Sequence, residues 1–297
     1  MKEFDHIDNI KEAIEERKIL NNNIVYKKLL SIHLQSNNSD NLKKFLDNLE
    51  KNIVDHNLIE VIVKIDDNDH EMNILLEKEV LSRKISLKYI STPLIEDFSD
   101  LWRSMNDMLL ITEPQTYFLW NMNDEMIINT KGWDAILKKY VGLFSDHIFR
   151  LRTSKYRFRN YNDYWECGFA PETSAITTKK WFDICGNWNP TLGPDSFNQI
   201  VAYYISYHDR FNKNKHVRDI VINDFSLSGI EANANFTRKE IQKRMSLTTK
   251  AWFDLFSHTM LQEASKRAQR LRANIFLEKL KRNRPEYNNK NIRMKES

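Results

Sequence analysis

The strongest constraint on this chain is a run of four apolar residues, Tyr117-Phe118-Leu119-Trp120, that stops at Asn121-Met122-Asn123-Asp124-Glu125. The run is too short for a helix and fits a strand buried on both faces. All but one of the residues that follow carry side-chain oxygen. A buried strand that ends in carboxylates places acid at the carboxyl edge of a sheet, where open α/β folds take their ligands. Thr130 then offers a helix N-cap, and Trp133, Ile136, Leu137, Tyr140 and Val141 recur at helical spacing. Residues 116–134 therefore read as strand, acidic loop, helix, with an ordinary polar turn as the plain alternative.

The residues upstream repeat the same grammar. A strand over 29–34, with His33 inside it, leads to a turn and helix cap at Ser36-Asn37-Asn38-Ser39-Asp40. Leu42, Phe45, Leu46, Leu49 and Ile53 then trace a helical face. The β-branched run IEVIVKI over 59–65 completes a βαβ unit, which makes the two strands parallel and their crossover right-handed. This second strand also ends in acid, at Asp66-Asp67-Asn68-Asp69. An EF-hand starting at Asp66 fails because its sixth position is Glu71, where that loop needs glycine. A helix over 72–81, a strand over 85–90 and a helix carrying Leu101, Met105, Met108 and Leu109 extend the series to β-α-β-α-β-α-β. The expected fold class is α/β, a parallel sheet covered by helices.

From Phe149 the pattern changes. FRLRTSKYRFRNYNDYWECGF interleaves aromatic and aliphatic residues with Arg150, Arg152, Arg157 and Arg159, which predicts a hairpin with one basic face. Such interleaving suits nucleic acid, a phosphorylated or ring-shaped ligand, or simply a half-exposed ribbon. A short strand over 175–178, a helical turn over 179–185 and a loop over 186–193 follow. Pro194-Asp195 opens a helix whose Phe197, Ile200, Val201, Tyr204 and Ile205 share a face; proline at the first position and acid in the first turn are start signals in their own right. A last strand is expected over 217–223. Residues 237–282 are largely helical, with Trp252, Phe253, Leu255, Phe256, Met260, Leu261, Ala264, Ala268, Leu271 and Ile275 as an apolar stripe. The expected organisation is a polar leader (1–23), an α/β domain (24–236), a basic helical extension (237–284) and a disordered tail (285–297).

Composition narrows the function. With 297 residues, 41% hydrophobic and 29% charged, the chain has the makings of a globular core. No apolar run approaches the ~20 residues of a membrane span, and the charged N-terminus does not read as a secretory signal. Cys167 and Cys185 lie in no C-x-x-C, so neither a zinc site nor a disulfide framework is expected, and a cytoplasmic setting is the simplest reading. With 6 glycines in all, neither G-x-G-x-x-G nor a P-loop can be assembled. Residues 237–297 hold 16 Lys+Arg against 6 Asp+Glu, while the whole chain is only +4. An acidic body with a basic end suggests an anionic neighbour for that end, and peripheral contact with an anionic membrane competes with a merely solvated basic face.

The order LLSIHLQSNNSDNLKKFLDNL, IEVIVKIDDND, YFLWNMNDEMIINTKGWD and AITTKKWFDICGNW…GPDSFNQIV resembles the nucleotide-sugar glycosyltransferases of the GT-A fold, near the family-2-like group. The similarity runs over residues 28–224, and Gly132-Trp133-Asp134 after a strand-end acidic cluster is its most specific piece. The resemblance implies a Rossmann-type, mostly parallel sheet covered by helices, here with a C-terminal helical extension. It implies that Gln35, Ser36, Asn37 and Asn38 line a nucleotide pocket, with Asp66 or Asp67 accepting a hydrogen bond from the base. Asn123, Asp124 and Glu125 would stand at the family's metal motif, holding Mn²⁺ or Mg²⁺ against the diphosphate. Asp195 would match the general base of inverting members, and Tyr164, Trp165, Glu166 and Trp188 would flank the acceptor. The implied partners are a nucleoside-diphosphate sugar, UDP-linked by preference, and a carbohydrate or other hydroxyl acceptor; nucleic acid ranks low.

Two departures from the family pattern matter. No strict Asp-x-Asp occurs, since Asn123 precedes Asp124-Glu125, and Pro194 stands where a glutamate is common. No C-terminal histidine is a clear metal ligand; His216 and His258 qualify by position only. A non-catalytic module of the same fold is therefore the alternative, acting through its basic C-terminal helix. A sugar nucleotidylyltransferase would need a glycine-rich phosphate loop, and residues 31–40 contain no glycine.

Overall fold

The computed structural model describes residues 24–93, 101–161, 164–169, 174–188, 190, 194–208, 213–225, 250 and 253–283. The leader, the tail, Trp252 and residues 237–249 thus lie outside the described residues. The first half is the expected alternation: β1 (Lys28–Gln35), α1 (Ser39–Asn52), β2 (Ile59–Asp66), α2 (His70–Ser82), β3 (Ser86–Thr92), α3 (Leu101–Ile111) and β4 (Thr116–Asn123). Asn38 and Asp69 cap α1 and α2 by accepting the backbone N–H groups of Asn41 and Met72, at 2.9 and 3.0 Å. Each such cap is worth about 1 kcal/mol and sets where the chain turns off the sheet edge.

These four strands are parallel, in the order β3-β2-β1-β4. After β1 the chain builds outward through β2 and β3, then returns to pair β4 on the other side of β1. The junction of β1 and β4 is therefore the topological switch point, where open α/β sheets form a crevice at their carboxyl ends.

The second half extends the sheet with β5 (Met126–Ile128), β6 (Arg150–Tyr161), β7 (Tyr164–Phe169), β8 (Ile176–Thr178) and β9 (Asn214–Asp224), in the order β4-β8-β6-β9-β5, with β7 paired to β6. β6 and β9 run with β4, whereas β8, β5 and β7 oppose their neighbours. Only Asp124 and Glu125 separate β4 from β5. A two-residue connection spans at most about 11 Å between Cα atoms, yet four strand spacings in a flat sheet would be about 19 Å. The sheet must curl, bringing the end of β9 to the end of β4.

Helices cover both faces. On one side Leu42, Phe45 and Leu46 of α1, Met72 and Leu76 of α2, and Trp133 and Leu137 of α4 (Trp133–Lys138) share a cluster with Ile32, Val61, Phe118 and Trp120. On the other, Met105 and Met108 of α3 join α5 (Lys179–Cys185), α6 (Pro194–His208) and α7 (His258–Asn283) through Trp181, Phe197, Val201, Ala264, Ala268 and Leu271. The C-terminal helix is thus part of the second core. Two aromatic residues assigned to its stripe are not: Phe253 is 76% and Phe256 56% exposed, because they precede α7 on a separate turn while Leu255 points inward.

Other sequence readings need correcting. Thr130 does not cap α4; its hydroxyl donates to Asp219 O and accepts from Val221 N–H, each at 2.9 Å, which ties the segment to β9. Gly132 is the cap residue, at φ +65°, with a built Cβ 3.3 Å from the Val54 side chain. That left-handed backbone favours glycine. The β6–β7 hairpin forms as expected, but Arg150 is only 2% exposed, since β6 lies inside the sheet between β8 and β9. No helix among the described residues is long and apolar enough to cross a membrane.

Candidate active site at the switch point

Three neighbouring strands deliver polar residues to one edge. In register, Gln35 at the end of β1 lies between Lys64 of β2 and Asn123 of β4, so Asp66, Ser36 and Asp124 follow at the same rim. The Ser36 hydroxyl donates to Asp124 Oδ2 at 2.5 Å, and the Ser36 N–H donates to Lys64 O at 3.2 Å. The loop after β1 and the acidic turn after β4, 88 residues apart in sequence, are thereby joined.

The electrostatics of that turn are unusual. Burial pushes the Asp124 carboxyl above the ordinary range, with the Ser36 hydrogen bond opposing the shift. Glu125 is pushed up to about 7, chiefly by burial and then by the charges of Asp124 and Asp224. Asp224, the last residue of β9, is fully buried and forms an ion pair with Lys155 of β6 at 2.8 Å. Lys155 also donates to Ser174 Oγ at 3.2 Å. The Phe225 N–H donates to Glu125 O at 3.3 Å, and Asp224 pairs with Met126 in the β5–β9 ladder. The turn that sequence reading singled out is thus backed by a carboxylate and an ammonium that it did not. The signal was present: the apolar run Ile220-Val221-Ile222 at the end of β9 closes on Asn223-Asp224.

The remaining sequence candidates divide. Gln35 Nε2 donates to Ser104 Oγ of α3 at 3.1 Å. Asn37 and Asn38 are exposed, but the Asn38 carboxamide oxygen is committed to capping α1. Asp66 is paired with Lys64, while the exposed Asp67 donates its N–H to Thr92 O at 2.8 Å. Tyr164, Trp165 and Glu166 lie on β7, Glu166 opposite Arg159. Pro194 is the first residue of α6, as expected, so Asp195 sits in the first turn of that helix; its side chain is outside the described residues. Trp188, expected beside an acceptor, is only 4% exposed and stacked on Phe182 with ring centroids 4.3 Å apart. Its faces are turned to the second core, with His33 at 5.1 Å. The Gly132-Trp133-Asp134 motif is likewise internal: Asp134 accepts the N–H groups of Val54 and Asp55 at 3.0 and 2.9 Å.

Whether a divalent cation suits the rim can be judged from the donors. Asn121 Oδ1 and Asn123 Oδ1 are buried without a hydrogen-bond partner, beside carboxyls whose ionisation is disfavoured by burial and, at Glu125, also by neighbouring charge. Oxygen donors in that condition fit Mg²⁺ or Mn²⁺, which take one or two carboxylates and keep several waters. Among the described residues no three His, Cys, Asp or Glu side chains group as a metal site.

No family model matches the chain, and no curated protein sequence matches it. Solved structures do. S. aureus TarS 1-349 in complex with UDP-GlcNAc superposes with a TM-score of 0.50 and 14% identity, covering 89% of this chain and 76% of that one. The mannosyltransferase PcManGT from Pyrobaculum calidifontis, in complex with GDP-Man and Mn²⁺, gives 0.50 and 12%, covering 93% and 90%. A longer S. aureus TarS structure is matched over 77% of this chain and 44% of its own length. The chain has the GT-A-type glycosyltransferase fold, as its sequence motifs imply.

Proposed function

We propose that this chain is a nucleotide-sugar glycosyltransferase, moving a sugar from a nucleoside-diphosphate donor, UDP-linked by preference, to a hydroxyl acceptor with inversion. The observation that carries the reading is the acidic turn Asp124-Glu125 at the switch point, joined to the β1 loop by the Ser36–Asp124 hydrogen bond. The fold supports it, since solved structures that superpose on this chain hold UDP-GlcNAc, or GDP-Man with Mn²⁺.

In this reading the nucleotide lies along the loop after β1, with Asp66 or Asp67 toward the base. Asp124 and Glu125, with Asn123, would hold Mn²⁺ or Mg²⁺, which when bound supplies Lewis-acid stabilisation of a departing diphosphate. Asp195 takes the acceptor hydroxyl proton as the new C–O bond forms and the bond to the diphosphate oxygen breaks. A carboxylate in the first turn of a helix is held ionised, which favours occupancy of the base form. Tyr164, Trp165 and Glu166 remain the proposed acceptor contacts.

The test is thermal unfolding with UDP, GDP and CDP, each with and without Mn²⁺. A ligand at one hundred times its dissociation constant adds about 2.7 kcal/mol of stability. No shift with any nucleotide overturns the reading. A non-catalytic module of the same fold is favoured by Asn123 where the family has an acid; nucleotide binding without turnover, unchanged in Asp195→Asn, selects it.

A further inference from the structure

We infer that Arg267, on the C-terminal helix, is a positioning residue that fixes the first turns of α6, where Asp195 lies; this rests on the proposed role of Asp195. Arg267 is 1% exposed although its side chain ends in a guanidinium, and its contacts reach both Asn187, after α5, and Phe197 of α6. Upstream, Arg267 Nη2 donates to Asn187 Oδ1 at 2.7 Å and Nη1 donates to Asn187 O at 3.4 Å. Downstream, its guanidinium carbon lies 5.1 Å from the ring centre of Phe197, two residues past Asp195. Glu263, one helical turn earlier, accepts from Arg267 Nε at 2.9 Å and so sets the plane of the fork.

Neighbouring contacts act on the same stretch. Arg270 Nη1 donates to Cys185 O at 3.4 Å, Asn198 Nδ2 donates to Trp188 O at 3.3 Å, and the Trp188 N–H donates to Asn106 Oδ1 at 2.8 Å. Arg267 differs from these in touching both ends from a third element. Its planar fork bonds one residue through two atoms while stacking on an aromatic face, a combination that lysine cannot reproduce. Burying a guanidinium is costly unless every contact is made. The basic C-terminal helix, which in sequence reads as an appendage, therefore has a part in the site.

The experiment uses the full chain and three variants: Arg267→Lys, Arg267→Met and Asn187→Ala, the last of which leaves α7 and its core untouched. Hydrogen exchange is followed over residues 186–200, alongside UDP and GDP binding with Mn²⁺ and hydrolysis of UDP-GlcNAc and GDP-Man. Expected are exchange at least about tenfold faster in 186–196 but not in the second half of α6, nucleotide affinity unchanged, and kcat for donor hydrolysis lower by about 10²-fold with donor KM unchanged. Arg267→Met combined with Asp195→Asn should be no slower than Asp195→Asn alone, because the arginine acts through the aspartate. Unaltered exchange in Asn187→Ala and Arg267→Lys, or additive losses in the double variant, overturns the inference. Absence of nucleotide binding in the wild type overturns the proposed function instead, while exchange still decides whether Arg267 holds the segment.

Discussion

Ser36 Oγ lies 2.5 Å from Asp124 Oδ2 and closes the gap between β1 and β4, the strands on either side of the switch point. The hydroxyl favours the ionised carboxylate, against a burial effect that raises the Asp124 pKa. Removing it should leave Asp124 more often protonated and its turn less fixed. Ser36→Ala is expected to weaken Mn²⁺-dependent UDP binding on the order of tenfold, which is about 1.4 kcal/mol. Calorimetric titration checks this, and equal affinities would remove the hydrogen bond from the account of the site.

Asp134 is expected to matter for folding and not for binding. Its carboxylate is 2% exposed and accepts both the Val54 and Asp55 N–H groups, joining the end of α1 to the start of α4. Asp134→Ala removes two hydrogen bonds to a carboxylate, at a cost of about 2–3 kcal/mol in unfolding free energy. Urea denaturation should show that loss, while the UDP dissociation constant of the folded variant stays within about twofold.

His33 gives the chain a pH dependence of defined sign. It is fully buried on the second face of the sheet, with Nε2 2.8 Å from Thr112 Oγ1 and Trp188 against its ring. Burial lowers its pKa to about 3 from the usual 6.5. Between those values the unfolded chain takes up a proton that the native state refuses, so this contribution is intact above pH 6.5 and is lost as pH falls toward 3. The slope it adds is at most about 1.4 kcal/mol per pH unit. Comparing wild type with His33→Leu by urea denaturation at pH 7, 6 and 5 isolates it, since the variant should lose stability less steeply. Parallel curves would mean that His33 takes up its proton as readily in the fold as in the unfolded chain.

Much of this architecture is legible in the sequence, for a physical reason. The strands of the first half are buried on both faces and so appear as unbroken apolar runs, and their ends are marked by capping residues such as Asn38 and Asp69. What could not be read depends on contacts between distant residues. β5 is three residues long and exists because the curled sheet brings β9 beside it. Thr130 has the chemistry of an N-cap, but β9 competes for its hydroxyl and wins. Trp188 has the chemistry of a sugar platform, yet Phe182 and His33 occupy its faces. At the site, Asp124 and Glu125 announce themselves by ending a strand, whereas Lys155 sits mid-strand and acquires meaning only when Asp224 meets it.

That last pair yields the sharpest energetic prediction. Lys155 is 1% and Asp224 0% exposed by side chain, they meet at 2.8 Å, and the Asp224 charge is one of those that raise the Glu125 pKa. Lys155→Met would leave a carboxylate buried without its cation, costing about 3–5 kcal/mol. It would also remove the positive charge that offsets Asp224, so Glu125 should protonate at still higher pH and bind a divalent cation less well. Exchanging both partners in Lys155→Met/Asp224→Leu removes the uncompensated charge, and most of the lost stability should return. Urea unfolding of the wild type, the two single variants and the double variant gives the coupling directly. A double variant no more stable than Lys155→Met would show that the cost is lost packing, and that the ion pair is not what supports the acidic turn.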